Sequence, residues 1–516
     1  MKNLIPVVVI WLVAGAVARG DAAVDTRLAD AAMNRDAAMV RSLIAQKVDL
    51  NVPGNDGTPA LHWIVRADDV ELAQALLKAG ADPKQPNRYG VLPITLAATN
   101  GNAAMIRTLA DAGADVTTPD PAGETPLMAA ARVGSVDAVT TLIERGAPVD
   151  ATDTAFKQTA LMVAVRANRP DVVRTLIARG ANVNAKTRVG ATPAWVLPNS
   201  VPGFGHGIGI VRGGSPDLGR RAPIPGGMSP LQYAARDGRL DIVKMLLDAG
   251  ADVNQREAND ITPLLSAITN NHPDVARHLV DRGADIKAAD WYGRTPLWAA
   301  VETRNMDVDS ATFENGVTRE PYFELINVLL ERGAEPNART KEVPPVRPMF
   351  LKGGVASLEW VDFTGMTPFL YAARSGDVAV MKLLLQHGAD PNIPTFSGTT
   401  PLMAAAGVNW VFYQTYDEGA PRLLEAVQLC FELGGDVNAT NVMGLTALMG
   451  AANRGSDDII TFLVSKGARL DVKDSEERTA LTWAEGVFLA THPSRPKPSS
   501  IALIKELMSK PATAQQ

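Results

Sequence analysis

A chain of 516 residues would ordinarily make three or four domains of roughly 150 residues each, and 46% hydrophobic with 21% charged residues sets it apart from disordered or collagen-like sequences. A formal charge of −6, from 50 Lys and Arg against 56 Asp and Glu, leaves no basic stripe for a phosphate backbone, so nucleic acid is not an expected partner. A single cysteine, Cys430, excludes an intramolecular disulfide framework.

The chain opens with Lys2, an apolar run from Leu4 to Val17, and small residues Ala16 and Ala18 at the positions a signal peptidase reads. The expectation is a cleaved secretory signal over residues 1–18, cut after Ala18, and a periplasmic or secreted mature protein. The apolar run falls short of the roughly 20 residues that span a bilayer, so no stable membrane insertion is expected after cleavage.

From Val24 onward the chain repeats itself. Gly80-Ala81-Asp82 returns at Gly113, Gly146, Gly180, Gly250, Gly283, Gly333, Gly388, Gly434 and Gly467, with successive spacings of 33, 33, 34, 70, 33, 50, 55, 46 and 33 residues. A second phrase keeps step, at Thr125-Pro126-Leu127, Thr159-Ala160-Leu161, Ser229-Pro230-Leu231, Thr262-Pro263-Leu264, Thr295-Pro296-Leu297, Thr367-Pro368-Phe369, Thr400-Pro401-Leu402, Thr446-Ala447-Leu448 and Thr479-Ala480-Leu481. These phrases resemble the Thr-Pro-Leu-His opening and Gly-Ala-Asp ending of the ankyrin repeat. The resemblance implies an all-α solenoid that binds another protein through a concave surface of fingers and first helices.

The residues of one unit, Met228 to Asp260, support the same reading independently. Ser229 can cap a helix that Pro230 starts, because the N–H that proline lacks would be unpaired there anyway. Leu231, Ala234 and Ala235 give that helix an apolar face with small residues, and Arg236-Asp237-Gly238 ends it. A second helix from about Leu240 to Ala249 aligns Ile242, Val243, Leu246 and Leu247, and Gly250 terminates it. Asn254 to Asp260 forms a finger to the next unit. Helices this short cannot bury both apolar faces alone, so stability must come from stacking.

About twelve such units are expected: an N-terminal capping repeat over 24–57, repeats over 58–190 and 228–478, a C-terminal capping repeat over 479–510, and a tail at 511–516. The long spacings locate extra residues. Segment 191–227, rich in Gly and Pro, reads as an insertion or a decayed repeat, and 338–365 lengthens another finger. Segments 308–322 and 411–421 fall between the two helices of their units. The His of the opening survives at His62, read as structural. Elsewhere Met128, Met162, Met403, Met449, Gln232, Leu265 or Trp298 replaces it, and those units are expected to lose its polar contact.

Aromatic residues are only 5% of the chain, yet many fall in fingers and insertions. Tyr89, Trp291, Tyr292, Phe396, Trp360, Trp410, Tyr413 and Tyr416 are the candidate partner-binding residues, since exposed rings bring large contact area at small entropic cost. No zinc helix, paired-Cys metal site, phosphate loop or nucleophile elbow is present, and Gly203 to Gly209 misses the spacing of a dinucleotide-binding turn. Cys430, among Leu429, Phe431 and Leu433, reads as an inert core thiol. The expectation is a monomeric, non-catalytic scaffold with no cofactor and no metal, exported to bind a protein partner. The alternatives are a secreted effector acting on a host or competitor protein, or an enzyme with its site in the insertions.

Overall fold

The computed structural model describes residues 25–190, 225–306, 319–341, 361, 364–410, 418–487 and 495–510. The same local chemistry starts helix after helix. The side-chain oxygens of Thr125, Thr159, Ser229, Thr262, Thr295, Thr367, Thr400 and Thr446 each accept the backbone N–H three residues on, at 3.2–3.4 Å. Proline fills the next position in six of these eight openings, where its fixed φ suits a first turn.

The chain divides into two compact units, residues 1–148 and 149–516. The first holds four hairpins: α1 (Arg27–Met33) with α2 (Ala37–Ala45), α3 (Ala60–Arg66) with α4 (Val70–Ala79), α5 (Pro93–Asn100) with α6 (Ala103–Asp111), and α7 (Pro126–Val133) with α8 (Val136–Glu144). The second begins with α9 (Ala160–Arg166) and α10 (Pro170–Ala178), then α11 (Pro230–Arg236) and α12 (Leu240–Asp248), α13 (Pro263–Thr269) and α14 (Pro273–Asp281). It continues through α15 (Pro296–Arg304) and α16 (Arg319–Glu331), α17 (Pro368–Ser375) and α18 (Val378–Gln386), α19 (Pro401–Ala406) and α20 (Ala420–Glu432). It ends with α21 (Ala447–Arg454) and α22 (Asp457–Ser465), then α23 (Ala480–Gly486) and α24 (Pro498–Ser509). Within each unit first helix packs on first helix and second on second, so the core runs along the stack. Among the described residues no strand forms; one isolated bridge pairs Thr152 with Thr159.

Ala234, Ala235, Ala299, Ala300, Ala372 and Ala373 are fully buried on the first helices, where small side chains let neighbouring backbones approach. Ile242, Val243 and Leu246 fill the matching stripe on α12. Gly250 ends that helix at φ +87°, donating to the Leu247 carbonyl at 3.1 Å, while Ala251 donates to Leu246 at 2.9 Å. A Cβ built there would meet nothing, so the glycine answers to backbone conformation and not to crowding.

Around the first finger insertion, α9 packs directly on α11 and α10 on α12. Gly190 N–H donates to the Pro225 carbonyl at 2.7 Å and Thr187 N–H to Met228 at 3.0 Å, so the described residues on either side of the segment meet at one finger. The two hairpins on either side of the segment thus stack directly on each other, while residues 191–224 lie outside the described residues. At the second, Thr340 N–H donates to Met366 and Gly365 N–H to Thr340, closing that finger in the same way.

The two insertions between helices are shorter than their sequence boundaries suggested. Tyr322, placed in the insertion, lies fully buried in α16, its hydroxyl donating to the Ile268 carbonyl at 2.8 Å. Ala420 and Pro421 open α20, where Pro421 occupies a helix-starting position. Both second helices run to 13 residues, against 9 in α12, because each captures the end of its insertion as an extra turn.

Candidate partner-binding surface

Five of the fingers are tight turns built by an acidic or amide residue. Asn87, Asp120, Asp290, Asn441 and Asp474 donate their backbone N–H to the carbonyl four residues on, at 2.8–3.2 Å. Their side-chain Oδ1 atoms accept the N–H of that same residue at 2.9–3.1 Å, which pins the turn from both sides. In the second unit the fingers are also stitched to one another: Arg188 donates to Phe156, Trp291 to Asn259, Phe396 to Thr364, Val442 to Ser397 and Ser475 to Met443, all backbone bonds of 2.7–3.0 Å.

This stitching holds a row of apolar side chains in solvent. Phe156 is 63% exposed, Phe396 61% and Trp291 38%, with Val189 and Val442 also exposed; Tyr89, 61% exposed, lies in a finger of the first unit. Three sequence-predicted tips, Tyr89, Trp291 and Phe396, are therefore at the surface. Tyr292 is not: it is 4% exposed, with the Arg294 guanidinium 5.5 Å from its ring. Both rings lie at the centre of the Asp290–Gly293 turn, where Trp291 faces out and Tyr292 faces in. Trp410 is half-buried after α19, with the Arg454 guanidinium 5.6 Å from its ring. Trp360, Tyr413 and Tyr416 lie outside the described residues, as does Gly203 to Gly209. Phe156, Val189 and Val442 escaped the sequence reading; for the two valines the available signal was a position one or two residues ahead of a finger glycine.

Behind the fingers, the opening histidine and two of its replacements do one job. His62 shares a hydrogen bond from Nε2 with the Val91 carbonyl at 2.9 Å, Gln232 Nε2 donates to Ile261 at 2.7 Å, and Trp298 Nε1 donates to Met366 at 3.1 Å. Each acceptor sits just ahead of the next hairpin's opening. The expected loss of this contact at Gln232 and Trp298 is thus corrected, because amide and indole N–H groups reach the same carbonyl. Burial pushes the His62 pKa below its ordinary value, against the opposing pull of the Val91 bond.

A second ladder was absent from the sequence reading. Asn184, Asn254, Asn337 and Asn438 each accept a backbone N–H from the following repeat, at Asp252, Asp285, Asp390 and Arg469, at 2.7–2.9 Å. Their amides donate back to Gly250, Gly283, Gly388 and Gly467.

One interior cluster is an ion-pair network. Asp377 is buried, caps α18 through the Val380 N–H, and receives Arg304 Nε at 2.8 Å and Arg319 Nη2 at 3.4 Å; Arg319 also pairs with Glu418. This cluster ties α15, α16 and α18 together. Burial pushes the Cys430 thiol up to about 12, so it is not a nucleophile. Among the described residues no group of three or more His, Cys, Asp or Glu converges as a metal site, and no helix is long and apolar enough to cross a membrane.

Capped helical hairpins, glycine-terminated second helices and stitched fingers define a helical-repeat scaffold that displays side chains along one edge. The chain belongs to the ankyrin-repeat family, whose description, "Ankyrin repeats (3 copies)", matches residues 28–120, 117–187, 231–340, 319–411 and 419–486. It is 30% identical over 165 residues to neurogenic locus notch homolog protein 1 of Homo sapiens, covering 28% of this chain and 6% of that protein. A putative ankyrin repeat protein of Rickettsia bellii is 61% identical over 33 residues, 6% of this chain and 4% of that one. The chain therefore spans only a small part of the relatives it matches. The solved ankyrin repeat domain of Bcl-3 aligns at 26% identity over 49% of this chain and 98% of its own, with a TM-score of 0.38.

Proposed function

We propose that this chain is a non-catalytic scaffold that binds a protein partner through its finger tips and first helices, and that it acts after export from the cytoplasm. The observation that carries the binding surface is the stitched row of exposed Phe156, Val189, Trp291, Phe396 and Val442. Apolar side chains repeated along the fingers offer contact area that a partner would bury. The Lys2, Leu4 to Val17 and Ala16-Val17-Ala18 pattern supports export.

The test is affinity capture with crosslinking from the native host, using the full chain and a Trp291→Ala/Phe396→Ala variant. The variant is expected to recover a given crosslinked partner about tenfold less well, with an unchanged melting midpoint. Equal recovery by both proteins would refute the finger-tip surface. Retention of the protein in the cytoplasm on fractionation would refute the export.

A further inference from the structure

Many arginines of the second unit pair with a carboxylate, among them Arg236 with Asp237, Arg294 with Asp290 and Arg304 with Asp377 on the first helices and fingers. On and beside the second helices others are neutralised within the chain: Arg174 by Asp171, Arg277 and Arg332 by Asp281, Arg282 by Asp248 and Arg422 by Glu425, all at 2.5–3.4 Å. On the first helices and fingers, three arginines have no carboxylate within 4.0 Å among the described residues. Arg166, at the end of α9, donates one bond to Gln158 Oε1 and lies 5.5 Å from the Tyr233 ring. Arg188 donates to the Thr154 carbonyl and neighbours the exposed Val189. Arg339 donates to the Gly365 and Pro394 carbonyls and lies 4.3 Å over the exposed Phe396 ring.

Carbonyl and ring contacts fix where these guanidiniums point, and no carboxylate among the described residues compensates their charge. A guanidinium held over an aromatic face, with donors to spare, is pre-organised for a carboxylate. Such sites recur along the finger edge beside the apolar tips, in a chain whose overall charge is −6. We infer that the finger edge of the second unit recognises an acidic protein segment in which carboxylates alternate with apolar or aromatic side chains, Arg166, Arg188 and Arg339 taking the carboxylates. The inference rests on the scaffold reading and names the chemistry of its partner. Nucleic acid is the weaker candidate, because isolated arginines set between apolar tips do not track a continuous phosphate chain.

The probe is a fluorescein-labelled random copolymer of glutamate and tyrosine, titrated with the full chain at low and high salt and read by anisotropy. Binding is expected to weaken with salt and to fall about tenfold in Arg166→Gln/Arg188→Gln/Arg339→Gln, while Arg174→Gln/Arg277→Gln/Arg422→Gln stays within about twofold of the parent. Thermal melts confirm that both variants fold. Equal loss in both triple variants, equal binding of a lysine–tyrosine copolymer, tighter binding of an oligothymidylate strand, or no binding at all would overturn the inference. The scaffold reading fails separately, if Trp291→Ala/Phe396→Ala leaves partner capture intact.

Discussion

Leu246 is the sharpest test of the stacking argument. It is fully buried on α12, which packs between α10 and α14. Replacing it with alanine removes three carbons, worth about 2.4 kcal/mol at roughly 0.8 kcal/mol per buried methylene. A residual cavity of roughly 60 Å³ adds about 1.5 kcal/mol, for a total of about 3–4 kcal/mol. Stability in a stack is a sum of neighbouring interfaces, so the loss should concentrate in the layers of α10, α12 and α14. Amide hydrogen exchange followed by mass spectrometry reads this directly: protection in those helices should fall while the first unit keeps its own. Phe156→Ala, a tip substitution, should change stability by less than about 0.5 kcal/mol. A loss below about 1 kcal/mol for Leu246→Ala, or one spread evenly over the chain, would refute the assignment of α12's stripe as an interface between layers.

Three further outcomes follow from the geometry. Because burial lowers the His62 pKa, the fold favours its neutral ring; that contribution is whole above the unfolded value near 6.5 and is lost as pH falls through 6.5 toward the lower folded value. His62→Gln, copying Gln232, should keep the bond to Val91 and show a smaller drop in melting midpoint between pH 7.5 and 5. Arg304→Ala should cost about 3 kcal/mol by leaving Asp377 short of its nearest cation, and adding Asp377→Asn should cost less than the two changes summed, as a double-mutant cycle in urea would read. Excising residues 192–224 and joining the ends with a short glycine linker should leave the melting midpoint nearly unchanged, since Gly190 and Pro225 already meet; a large drop would place those residues in the fold.

Much of the fold was legible because one local grammar recurs. Thr262-Pro263 and Gly283 mark a hairpin's start and stop whatever lies around them, since capping and positive φ are decided within a few residues. The ends of the insertions were less legible. The sequence puts Pro421 at the end of an insertion, and the structure makes it a first-turn residue of α20. The surface was the least legible part. Trp291 and Tyr292 are both aromatic and adjacent, and only the folded turn from Asp290 to Gly293 sends one outward and one inward. The asparagine ladder was missed because each rung, such as Asn254 to Asp285, joins residues 31 apart whose types are ordinary in any loop.

Cys430, the chain's sole sulfhydryl, is sealed inside α20 with its proton held tightly. The native molecule is therefore silent toward maleimides and disulfide reagents at neutral pH. A cysteine introduced at position 156, 291 or 396 would be the one reactive handle on the surface, ready for a dye or photocrosslinker. The native thiol would answer only when α20 opens, giving a built-in reporter of local unfolding in the same tube.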